Sequence, residues 1–194
     1  MREMLKLFLA VVIFSSFSGG LLAAVRSGTQ ERIEYQKLKF VKGPTILKIL
    51  EGCSNDPLVD RFKIKDGNTE REFYVGQFDG KRDVVAFESF GKGFGGEIGV
   101  MTAVNVDTDK VVGVGVSTQS ETPGVGSRTK TDPAFSSQFN GLSIKDSFKV
   151  KSDGGQIDAL SGATVSSRGV CAAVDDSSRI YERLKAKIKE KLKG

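Results

Sequence analysis

Residues 98–116 read IGVMTAVNV, DTDK and VVGVGV: two valine-rich apolar runs joined at Asp107-Thr108-Asp109-Lys110. β-branched runs broken by an aspartate-rich turn predict an antiparallel hairpin. Upstream, residues 62–64, 73–78 and 84–87 alternate or cluster in strand fashion, separated by turns at Asp66-Gly67-Asn68 and Asp79-Gly80. Farther upstream, Pro44 can open a short helix through Leu50 that Gly52 stops. Downstream, Asp132-Pro133 caps a short helix running to about Phe139 and ending at Asn140-Gly141. From Ser166 onward, Val170, Val174, Ser177, Tyr181, Leu184, Ile188 and Leu192 recur every three or four residues, one face of a long amphipathic helix. There is no internal repeat. Strands first and a helix last, with hairpin connections, predict an α+β fold: an antiparallel sheet and a long C-terminal helix.

The N-terminus is a different kind of segment. Residues 7–25 carry no charge and are flanked by Arg2, Lys6 and Arg26. A helix of this length spans about 29 Å, close to a hydrocarbon core of about 30 Å. A cleaved signal peptide is the alternative, but Leu22 fits poorly in the small-residue pair it would form with Ala24, and the apolar run is long. Ser15, Ser16, Ser18, Gly19 and Gly20 suit close packing against another helix. A retained single-pass anchor is therefore favoured. Arg2 and Lys6, opposed by Glu3, place its N-terminus inside and the remainder of the chain outside. Residues 27–42 are charged and helical or extended. The expected division is a transmembrane anchor at 1–26 and one extracytoplasmic domain at 27–194.

Composition removes several chemistries. The 194 residues include no His, no Trp and only two Cys. No His-dependent triad, His-ligated haem or His-ligated zinc can be built, and two thiolates do not hold an iron–sulfur cluster or an ordinary structural zinc. No metal site is expected, and any redox or transfer chemistry must come from an organic cofactor or from carboxylates, lysines and hydroxyls. Cys53 and Cys171 could pair outside the membrane, but two unpaired, mostly buried thiols are the favoured reading. The net charge is +5, and residues 183–194 alone carry that much. A basic tail without interleaved aromatics is a solvated helix face rather than a nucleic-acid site; lipid headgroups or an acidic neighbour suit it better.

Three places are rich in glycine or hydroxyls. Gly91-Lys92-Gly93-Phe94-Gly95-Gly96 contains G-x-G but precedes a strand, the reverse of a dinucleotide fingerprint. It reads as a turn or bulge where two backbones, or a backbone and a flat ligand, approach closely. Glu121-Thr122-Pro123-Gly124-Val125-Gly126 contains the Pro-Gly pair of a type II turn. It is either a plain loop or a rigid one offering backbone N–H groups, Thr122 and Val125 to a ligand. Asp158-Ala159-Leu160-Ser161-Gly162-Ala163-Thr164-Val165-Ser166-Ser167 precedes the long helix. Its hydroxyls can cap that helix, and the helix N-terminus can equally hold an anion. A serine nucleophile lacks a base.

Residues 158–164 resemble the flavinylation motif of the FMN-binding domain family. That resemblance implies FMN moved from FAD by a dedicated flavin transferase onto the Thr164 hydroxyl as a phosphoester, with Asp158, Leu160, Ser161, Gly162 and Ala163 around it. Residues 121–126 resemble the E-T-P-G-L-G loop of Rnf-complex G subunits and of the C subunits of sodium-pumping NADH:quinone reductases, and the glycine-rich stretch before Glu97 resembles the Rnf G subunits. Val125 stands where those families have Leu, and Gln119-Ser120 where a His is frequent. The short chain favours Rnf. The resemblance implies a ring lying against 121–126, with Thr122 and Val125 the best contact candidates and Glu121 and Gly124 also cofactor-binding. It also implies a relay subunit of a ferredoxin-to-NAD, ion-pumping translocase in the cytoplasmic (inner) membrane, domain on the periplasmic side. Its partners would be membrane subunits A, D and E, with B and C in the wider complex. It would carry electrons between an intramembrane iron–sulfur centre and the flavin of the D subunit, with no catalytic site of its own. Two other readings stand beside it: a stand-alone flavinylated carrier, and a non-redox assembly protein in which 158–164 is only a helix cap.

Overall fold

A computed structural model describes residues 2–193. Met1 and Gly194, the outer limits of the two expected segments, lie outside the described residues. The chain divides into two compact units, Met1–Lys39 and Phe40–Gly194.

The first unit is helix α1, Arg2–Lys37. Its stretch Arg2–Gln30 is long and apolar enough to cross a membrane. Phe8, Phe14, Phe17 and Leu22 are all exposed along it, so protein does not cover the apolar surface, as suits a helix that lipid surrounds. Residues 27–42, expected to be helical or extended, are helical: those through Lys37 continue the same helix and the rest form a π-helical turn.

A π-helical turn, Leu38–Lys42, precedes α2, Gly43–Ile49, with Pro44 in its first turn and Gly52 beyond it at φ +88°. Five strands follow: β1 Arg61–Asp66, β2 Thr69–Phe78, β3 Lys81–Lys92, β4 Glu97–Asn105 and β5 Lys110–Thr118. They form one sheet in chain order, each antiparallel to the next. Asp79 and Gly80 both have positive φ, at 50° and 78°, the conformation a two-residue hairpin demands of its turn. Short helices α3, Arg128–Thr131, and α4, Pro133–Ser137, come after the sheet; Asp132 caps α4 by accepting from the Ala134 N–H. Helix α5, Thr164–Lys193, begins two residues before the expected start.

Alternation along the strands decides what covers each face. Phe73, Phe87, Thr102 and Val114 share one rung and face α5, where Ser177 donates to Thr102. The next rung, Tyr74, Ala86, Ala103 and Gly113, faces α2, and a Cβ on Gly113 would lie 3.0 Å from the Ile49 carbonyl oxygen. Val170, Val174, Ser177, Tyr181, Leu184 and Ile188 of α5 are all buried, the face read from the sequence.

β3 runs beyond its expected end at Phe87 because its polar residues are satisfied. Ser89 is fully buried and lies 2.7 Å from both the Ala173 carbonyl oxygen and Ser177 Oγ; Glu88 accepts from Ser117 and pairs with Lys42. Gly91 and Lys92 consequently belong to the strand, and the tight turn is confined to residues 93–96, closed by the Gly93 N–H on the Gly96 carbonyl at 2.8 Å. At this end α5 lies on β3 backbone to backbone. A Cβ on Gly91 would sit 2.0 Å from the Gly169 carbonyl oxygen, and one on Gly169 would sit 2.9 Å from the Lys92 carbonyl oxygen. Gly169 costs the helix about 1 kcal/mol relative to alanine, and this contact is what the glycine makes possible.

The far half of α5 is held by charge. Asp109, at φ +57° in the β4–β5 turn, meets Lys145, Lys185 and the Tyr181 hydroxyl. Burial pushes the Asp109 carboxyl up, but those hydrogen bonds outweigh it and hold it well below the ordinary carboxylate range. Arg183 reaches Asp66 and Lys189 reaches Asp107, so the domain's own turns answer part of the basic tail. Cys53 and Cys171 are free thiols, and burial pushes the Cys171 thiol up to about 12.

Both contacts along α5 can be tested. Gly91→Ala, in the detergent-solubilised chain, is expected to lose about 3 kcal/mol, read from the urea midpoint; an unchanged midpoint would mean that α5 can lift off β3 freely. Asp109→Asn is expected to lose about 2 kcal/mol at neutral pH. A carboxyl depressed in the folded state stabilises fully above its unfolded value of about 3.9 and loses that contribution as pH falls toward the folded value. The gap in melting temperature between wild type and Asp109→Asn should therefore narrow below about pH 4.

Candidate functional site

Three segments converge at the N-terminal end of α5. The first is the glycine turn after β3, the second the loop after β5, and the third the turn that opens α5. In the second, the Val125 N–H bonds the Thr122 carbonyl across Pro123-Gly124, with Gly124 at φ +73°, the type II turn that Pro-Gly predicts. In the third, the Ala163 N–H bonds the Leu160 carbonyl with Gly162 at φ +79° in the corresponding position. Each turn needs a left-handed residue and has glycine there.

Glu121 joins the three. It is only 5% exposed. Its carboxylate accepts from the Gly95 N–H at 2.8 Å, the Phe94 N–H at 3.2 Å and the Ser166 hydroxyl. Glycines make room for it: a Cβ on Gly93 would fall 2.4 Å from Glu121 Oε1, and one on Gly126 would fall 2.8 Å from Oε2. Ser167 locks the third turn by accepting from the Leu160 N–H and donating to the Ala163 carbonyl.

These segments enclose a cleft of about 350 Å³, within the range of small-ligand sites. Phe94, Val125 and Val165 stand in it 75%, 42% and 44% exposed, and Glu121, Thr122, Gly126, Gly162, Ala163, Thr164 and Ser166 complete it. Thr164 is the first residue of α5 and half-buried, and among the described residues nothing hydrogen-bonds its hydroxyl. The residue before it, Ala163, has no side-chain oxygen, so the first-turn amides of α5 lack the cap that the hydroxyls of 158–167 suggest. The cleft therefore offers apolar walls, an unengaged hydroxyl and the positive end of a 30-residue helix. That set suits a flat ring bearing a phosphate.

Of the residues read from the sequence, the structure gathers Glu121, Thr122, Val125, Gly162, Ala163 and Thr164 at the cleft. Gly124 shapes a turn, Leu160 belongs to the core, and Ser161 is exposed outside the lining. Asp158 lies apart, paired with Lys151 at 2.6 Å and bonded through its backbone to the Gln138 side chain. Phe94, Val165 and Ser166, which lie in the 91–96 and 158–167 stretches without being singled out there, also join the site. Phe94 carries a readable signal, a large apolar side chain among four glycines; Ser166 carries none, since only the fold brings it to Glu121.

Residues 93–178 match the FMN-binding domain family, a span that takes in every residue of the cleft. The G subunit of the ion-translocating oxidoreductase complex of Methanosarcina acetivorans is 30% identical over 89% of this chain and 92% of its own length. The chain belongs to the family of these G subunits. The Pseudomonas aeruginosa G subunit is 31% identical over 93% of this chain and 90% of that protein. Among solved structures, the C subunit of the Na(+)-translocating NADH-quinone reductase of Parabacteroides distasonis matches with a TM-score of 0.54 and 26% identity, over 64% of this chain and 76% of that one. NqrC of Shewanella oneidensis matches with a TM-score of 0.53 and 29% identity, over 62% of each chain. The α+β fold and the kinship to both families are as the sequence motifs imply.

Removing the Ser166 hydroxyl leaves a buried carboxylate one donor short. Ser166→Ala is expected to cost about 1–3 kcal/mol in urea unfolding, whereas Ser161→Ala, at an exposed position, should stay within about 0.5 kcal/mol. Equal effects would mean that the Glu121–Ser166 bond contributes nothing.

Proposed function

We propose that this protein, as a G subunit, holds FMN bonded through its phosphate to Thr164 Oγ and relays electrons on it. The observation that carries the reading is the state of Thr164: a hydroxyl without a partner among the described residues, at the uncapped start of a long helix, opening on an apolar-walled cleft inside a matched FMN-binding domain. Attachment forms one Thr164 Oγ–phosphorus bond and breaks the pyrophosphate bond of FAD. AMP leaves, and the hydroxyl proton is released. A flavin transferase supplies that step. Asp158 and Ser161, exposed outside the cleft, are where such an enzyme can read the motif without entering the ring site.

The bound flavin supplies one-electron chemistry that no side chain of this chain offers. The protein's own residues do the rest. The first-turn amides of α5 would hold the remaining phosphate charge, an interaction favourable by up to about 1 kcal/mol. Phe94, Val125 and Val165, which line the cleft, would pack against the ring and shield it from water. The turns at Gly124 and Gly162 hold Val125 and Thr164 in place. A covalent tether suits a domain outside the cell, where a dissociated cofactor is lost by dilution. With α1 as anchor, the domain lies on the periplasmic side. It passes electrons between an intramembrane iron–sulfur centre and the flavin of the D subunit, in a complex of subunits A to E and G that couples ferredoxin oxidation and NAD reduction to ion pumping.

Intact-mass spectrometry and in-gel flavin fluorescence test this, on wild type and Thr164→Ala expressed with a flavin transferase. Wild type should gain the mass of one FMN less one water and fluoresce after denaturation; Thr164→Ala should do neither. A flavin-free wild type would make 158–164 a structural turn and end the redox reading. Co-purification with membrane redox subunits separates the relay from a stand-alone carrier.

A further inference from the structure

Of the residues lining the cleft, Glu121 alone is ionisable. Both its oxygens are taken by donors, two backbone N–H groups and the Ser166 hydroxyl. A carboxyl group whose every partner donates has the hydrogen-bond pattern of the ionised, acceptor-only form. Among the described residues no cation pairs with it; its compensation is entirely neutral dipoles. The sequence motif suggests a cofactor-binding role for Glu121; it lines the cleft only 5% exposed, with both oxygens already engaged.

Resting on the flavin reading above, we propose that Glu121 is a positioning residue with a second role: a fixed negative charge in the cleft wall that keeps the flavin's reduction potential low. Each electron that reaches the ring adds negative charge unless a proton accompanies it. A nearby carboxylate screened poorly by water opposes that addition, so the oxidised ring is favoured and the reduced one is a stronger donor. The partially positive N–H and O–H groups around Glu121 moderate the effect, and Ser166 is the one of them that mutation can remove.

Charge and simple scaffolding predict different signs. If Glu121 only ties three segments together, Glu121→Gln and Ser166→Ala both loosen the cleft and move the potential the same way. If its charge acts, Glu121→Gln raises the potential, and Ser166→Ala, which leaves the charge less compensated, lowers it. The experiment is a spectroelectrochemical titration of the flavin-bearing full chain in detergent, for wild type, both variants and Glu121→Asp. Glu121→Gln should favour the reduced flavin at least threefold, about 28 mV at 59 mV per decade for one electron. Glu121→Asp should stay closer to wild type than the glutamine variant does.

An unshifted Glu121→Gln, or shifts of the same sign in the glutamine and alanine variants, overturns the proposal. If Glu121→Gln does not fold, Ser166→Ala decides alone: a lowered potential sustains the proposal, and an unchanged or raised one ends it. A wild type without flavin defeats the parent reading as well, and it is seen in the mass spectrum before any titration.

Discussion

A buried carboxylate that pairs with no cation among the described residues organises the cleft end of this domain. Moving such a charge out of water without partners costs many kcal/mol. Glu121 is tolerable only because the Phe94 and Gly95 amides and the Ser166 hydroxyl surround it, each a charge-assisted bond of about 1.5–3 kcal/mol. The requirement runs outward from there. The glycine turn must bring two successive N–H groups to one point, α5 must start where Ser166 can reach in, and Gly93 and Gly126 must lack side chains. The cleft is what remains between segments so constrained.

That arrangement needs α5 to be fixed along its length, and two unlike contacts do this. Near its start, Gly91 and Gly169 let helix and strand backbones meet, with Ser89, Ser177 and Thr102 forming a buried hydroxyl chain just beyond. Farther along, Asp109 gathers Tyr181, Lys185 and Lys145 around the β4–β5 turn. The first contact sets how closely the helix lies on the sheet, the second sets its rotation. Neither involves the cleft, yet the position of Thr164 depends on both.

Periodicity makes most of the fold legible. The valine alternation at 98–116, the turns at Asp66-Gly67-Asn68 and Asp79-Gly80, and the α5 face from Val170 to Ile188 report local geometry, and the structure agrees with them. β3 reads short because Glu88 and Ser89 interrupt its apolar run; their burial depends on Lys42, Ser117 and Ala173, distant in the chain. At the site, the motif residues Glu121, Thr122, Val125, Gly162, Ala163 and Thr164 lie together as a linear reading suggests. Ser166 is invisible in the sequence because its role is a tertiary hydrogen bond across 45 positions. Asp158, inside the same motif, points to Lys151 rather than the cleft; a contiguous motif does not distinguish residues that touch a ligand from residues exposed beside it.

The order of the strands carries a consequence for assembly. A meander in which each strand pairs with its chain neighbour closes only short loops, so the sheet can form progressively as the chain emerges. The cleft cannot. One of its walls is the start of α5, and that helix is positioned by contacts reaching to Tyr181 and Lys185, so Thr164 takes its final place only after most of α5 is available to dock. The cleft is thereby the last part of the domain to be completed: a truncated or stalled chain has a sheet but no finished cleft.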